Sequence, residues 1–104
     1  MKNTKNAVAM WHNLKGNYDV IVFDNKRNLN KFVKAYKEIY KLMEDEEITC
    51  AEFDCFADNL AMQIWDNIIK TEEDVYSKDL DDLEMYIDDK KTKINIVEKL
   101  DYGV

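Results

Sequence analysis

Proline is absent from this 104-residue chain, and glycine occurs only at Gly16 and Gly103. These two residue types are the strongest punctuators of a backbone: proline removes a donor and fixes φ, and glycine opens left-handed conformations. A chain almost without them favours helices joined by short polar connections. At this length the expectation is one domain over residues 1–104, with one core.

Hydrophobic spacing places the elements. Asn3 or Thr4 is a candidate cap for a first short helix carrying Val8, Trp11 and Leu14, with Gly16 at its end. Residues 18–24 are β-branched and aromatic, and read as the best strand in the chain. Asn28 or Asn30 opens a second helix whose stripe is Leu29, Phe32, Val33, Tyr36, Ile39, Tyr40 and Met43. Thr49 and Glu52 make a capping box for a third helix over 49–70, with Phe53, Phe56, Ala57, Leu60, Ala61, Ile64 and Ile68 on one face. A fourth helix over 77–90 is expected, capped by Ser77 and striped by Leu80, Leu83 and Ile87. Residues 92–97 read as a second strand, whose natural partner is 18–24. The expected class is therefore α+β: four helices around a central helix 49–70, with a small two-stranded antiparallel sheet.

Catalytic chemistry finds little to work with. His12 is the sole histidine and Ser77 the sole serine, and Ser77 is wanted as a cap. Cys50 and Cys55 lie five residues apart, facing away from each other on a helix, and are expected as small buried thiols in a reducing cytoplasm. With one distant histidine they do not compose a zinc site. The aspartates between 79 and 89 lack the central glycine of a calcium loop. There is no glycine-rich phosphate loop. The expectation is a protein that is not an enzyme and takes no cofactor or metal. No stretch approaches the roughly 20 apolar residues of a membrane span, and no membrane association is expected.

Charge is the informative property. Residues 1–41 carry nine basic side chains against three acids, a net +6, whereas residues 42–104 carry six against nineteen, a net −13. Two acidic surfaces stand out: Glu44, Asp45, Glu46 and Glu47, and a helix face of Asp81, Asp82, Asp88 and Asp89 around Met85. They are candidate contacts for a basic, nucleic-acid-binding protein. Lys34, Lys37 and Lys41 form a basic helix face, the alternative surface of a small regulatory DNA-binding protein. On the third helix Cys55, Met62 and Ile69 recur every seven residues as a second apolar seam, either core or an interface, with a homodimer as one outcome.

In size, acidity and Asn/Lys/Ile/Asp-rich composition the chain resembles small inhibitors from phages and mobile elements, such as anti-CRISPR and anti-restriction proteins. That resemblance implies an acidic inhibitor occupying the nucleic-acid-binding surface of a host defence or DNA-handling protein. A toxin-neutralising immunity protein fits the same features.

Overall fold

Four consecutive buried residues, Ala7, Val8, Ala9 and Met10, decide the architecture. A helix packed on one side buries one stripe; a short run buried on both faces suits the middle strand of a covered sheet. In the computed structural model, which describes residues 4–12 and 15–102, these residues lie in strand β1 (Thr4–His12). The expected first helix is therefore corrected to a strand. Gly16, at φ 71°, serves a hairpin turn instead of a helix end, and its N–H donates to the His12 carbonyl. Asn3 and Leu14 lie outside the described residues.

The chain continues through β2 (Asn17–Phe23), α1 (Lys26–Glu44), α2 (Cys50–Gln63), β3 (Ile68–Val75), β4 (Glu84–Ile87) and β5 (Lys90–Tyr102). Short 3₁₀ turns occupy Trp65–Asn67 and Ser77–Asp82. The five strands form one mixed sheet in the order β3-β2-β1-β5-β4, curled into a half-barrel. Only the β1–β5 pairing is parallel. The expectation of four helices around helix 49–70 and a two-stranded sheet is overturned on each count. The two expected strands do not pair, because β1 lies between them.

Each error has a local cause. The expected third helix starts where it should: Thr49 and Glu52 close the capping box reciprocally. It ends at Gln63, however, because Ile68 and its neighbours pair with β2 as β3. It is also peripheral, with only Phe53 and Ala57 buried. The expected fourth helix breaks at Asp88 and Asp89, which take left-handed backbone (φ 52° and 63°) and form the two-residue turn between β4 and β5. Met85 and Ile87 are buried and Glu84 and Tyr86 exposed, a period of two inside residues that also satisfied a period of 3.6. The second helix forms as α1, capped by Asn25 instead of Asn28 or Asn30.

Both helices pack on one face of the sheet. There Val8, Met10, Phe23 and Leu100 meet Leu29, Phe32 and Tyr36 of α1 and Phe53 and Ala57 of α2. The opposite face curls over its own residues, Ala7, Ala9, Val20, Val22, Met85, Ile87 and Ile94, and Leu80 of the 3₁₀ turn fills it. Residue 97 is a bulge: Ala7 pairs with Ile96 but Val8 with Glu98, and Val97 joins the helix-side core.

Candidate protein-binding surfaces

The acidic residues are displayed at two separate places. α1 runs beside β5, with the Tyr36 hydroxyl donating to the Asp101 carbonyl at 2.8 Å and Lys37 paired to Glu98 at 2.7 Å. Its C-terminal end therefore puts Glu44 and Asp45 near the finish of β5, in a groove shared with Asp101. Asp88 and Asp89 stand just before the start of β5. Thirteen extended residues separate the two ends, roughly 40 Å, in a molecule 46 Å long. Glu44, Asp45, Glu46, Glu47, Asp81, Asp82, Asp88 and Asp89 are all exposed, so each group is available, but no single acidic face joins them.

Met85, expected at the centre of the second group, points into the core; Tyr86, its neighbour, is the exposed apolar residue there, 68% accessible. The reason is strand alternation, which sends adjacent residues to opposite faces. Glu84 beside it is held by Lys91 at 2.7 Å, and that contact raises the Lys91 pKa.

The loop after α1 has an unusual backbone. Glu46 sits at φ 59°, with its N–H on the Met43 carbonyl and the Glu47 N–H on the Leu42 carbonyl. Helices commonly end with a glycine in this conformation, since a Cβ is strained there. Asp tolerates left-handed backbone better than Glu. Among the described residues, the non-glycine positions of positive φ are Glu46, Asp88 and Asp89, all acids from the two expected groups.

The basic face is partly neutralised. Lys34, Lys37 and Lys41 are exposed on α1, yet Lys37 is paired to Glu98 and Lys41 lines the groove that holds Glu44, Asp45 and Asp101. In the same groove the Tyr40 phenol is pushed above its ordinary 10.0 by burial, then by Asp101 and Glu44.

The seam dissolves. Cys55 and Met62 lie on the outer side of α2 and are exposed, Met62 at 74%, whereas Ile69 belongs to β3 and packs against the curled face. Cys50 and Cys55 are both free and exposed, which corrects the expectation of buried thiols. Trp65, just past α2, is 61% accessible and could be recognised in sequence only as a stray aromatic outside the stripe.

No family model, curated protein or solved structure matches the chain. The expected kinship with anti-CRISPR and other phage inhibitors is corrected accordingly: no match supports it, and the helical acidic face it relied on is a 3₁₀ turn followed by a β-hairpin.

One further feature escaped the sequence reading. His12 Nε2 contacts Asp19 Oδ2 across the β1–β2 hairpin, at the rim of a groove of about 300 Å³ floored by Met10, Ile21 and Phe32 and flanked by Trp65. A carboxylate on an imidazole is the orienting half of a general base. Among the described residues the groove's lining carries no serine, threonine, cysteine or lysine for such a base to activate. Only the pairing of Met10 with Asp19 and of His12 with Asn17 brings the two together.

Proposed function

We propose that this chain is a non-catalytic protein-binding module that engages a basic, nucleic-acid-binding protein through its acidic ends, in the reducing cytoplasm. The observation that carries the reading is Glu46. Left-handed backbone disfavours a Cβ by about 1 kcal/mol, and a glutamate held there keeps a carboxylate projecting where glycine would be easier. The −13 imbalance of residues 42–104 supports the same reading, since such a surface attracts a basic partner at a distance. Two exposed free thiols fit a reducing compartment. Among the described residues no helix is long and apolar enough to cross a membrane.

The two acidic ends act independently, because their separation is several times the Debye length of about 8 Å at physiological salt. The test uses a lysine- and arginine-rich peptide as probe, followed by fluorescence anisotropy across a salt series. Affinity should fall with salt. Glu46→Gly should stabilise the fold yet weaken binding, and Glu46→Lys should weaken it further. Joint reversal of Asp82 and Asp89 to lysine should add to that loss without coupling. Binding unchanged by both sets of reversals, or abolished by Lys34→Glu instead, would sink the acidic reading and leave the α1 lysines as the working surface.

A further inference from the structure

Over most of its length β5 is paired on one side only. Its inner edge follows β1 from Lys93 to Tyr102. Its outer edge pairs with β4 only over Lys90–Lys93, with one more bond from the Ile94 N–H to the Leu83 carbonyl. From Asn95 onward no strand among the described residues occupies that outer edge. An edge of this length is a template for a further strand unless something covers it; here one backbone group near its end, the Asp101 carbonyl, already accepts from the Tyr36 hydroxyl and keeps its second lone pair for a partner. Space is available on both faces of the sheet. A groove of about 480 Å³ lies between α1 and the edge, and one of about 370 Å³ lies on the other face beside Trp11 and Tyr18. Both are bordered by the same three residues, Lys99, Leu100 and Asp101.

We propose that this edge binds a second copy of the chain, β5 against β5, in a two-fold antiparallel pairing centred on Leu100. The charge pattern selects the occupant and the register. In such a pairing residues opposite each other share a face only when the centre falls on a residue. Centring on Leu100 sets Lys99 opposite the partner's Asp101 and Asp101 opposite the partner's Lys99, so two opposite-charge pairs form at once. Centring on Lys99 opposes two lysines, and centring on Glu98 opposes two glutamates; like charges directly opposite are destabilising. Lys99 and Asp101 alternate with Leu100 along β5, as their partners Ala9 and Trp11 alternate with Met10 on β1, and both are exposed at the edge. The result is a continuous ten-stranded sheet with all four helices on one side. This dimer stands or falls independently of what the acidic ends bind.

Sedimentation equilibrium of the full chain should give twice the monomer mass, with circular dichroism confirming the fold of each variant. Lys99→Asp and Asp101→Lys should each weaken the dimer roughly tenfold or more, since each change converts two attractive pairs into two repulsive ones. The double exchange, Lys99→Asp with Asp101→Lys, should restore the wild-type constant because both pairs return with their signs swapped. Introducing a charge at Met62, as Met62→Asp, on the exposed side of α2, should leave it unchanged. A wild-type chain that stays monomeric at millimolar concentration overturns the proposal, and so does a dimer indifferent to the single reversals or not rescued by the double exchange.

Discussion

The two faces of the sheet are filled in different ways. Under the helices the core is aromatic: Phe23, Phe32, Tyr36 and Phe53 stand within ring-contact distance in a chain, at 5.6 Å, 5.8 Å and 5.6 Å between successive centroids. On the curled face β1 and β2 contribute small residues, Ala7, Ala9, Val20 and Val22, all fully buried. A helix layer stands about 10 Å off a sheet, and large rings are needed to reach across. A sheet curling on itself brings its own strands close, and alanine is what the concave side has room for. Large rings therefore hold the helices on, while small residues permit the curl.

Deleting a ring should have the largest effect. Phe53 is fully buried and touches Tyr36 and Tyr40 edge-on. Phe53→Ala should cost about 3–5 kcal/mol, a large part of the 5–15 kcal/mol typical of a domain, read as a lower urea midpoint. On the other face the damaging change runs the opposite way. Ala9→Leu should cost about 1–3 kcal/mol by overpacking, whereas Phe53→Leu should be milder than Phe53→Ala. A well-tolerated Ala9→Leu would break the comparison, since it would mean that the curled face has unused room. The smallest effect concerns Tyr40, at the rim of the aromatic face. Its folded pKa is raised, so its contribution to stability is full below 10.0 and is lost as pH rises through the folded value. Phenolate absorbance should show a late-ionising phase to which Tyr40 contributes, and Tyr40→Phe should reduce its amplitude.

What could be read without coordinates was local. The capping box at Thr49 and Glu52, the apolar stripe of α1 and the strand read at 18–24 depend on residues within a few positions of one another, and all three are present, the strand as Asn17–Phe23. The exposure of the acids was legible for the same reason, because charged side chains stay in water wherever the backbone goes. What needed the tertiary structure was every choice between two periods that the same residues satisfy. Residues 77–90 match a helical stripe through Leu80, Leu83 and Ile87 and a strand through Met85 and Ile87. The pairing with β5 decides for the strand, because extended backbone groups must find partners across space. β1 turned on the same point, since a run apolar on all sides is uninformative until the layers above and below it are known. The separation of the two acidic groups, the contact of His12 with Asp19 and the open outer edge of β5 are likewise matters of strand order. Strand order joins residues as distant as Thr4 and Lys93, a relation that no local window along the chain contains.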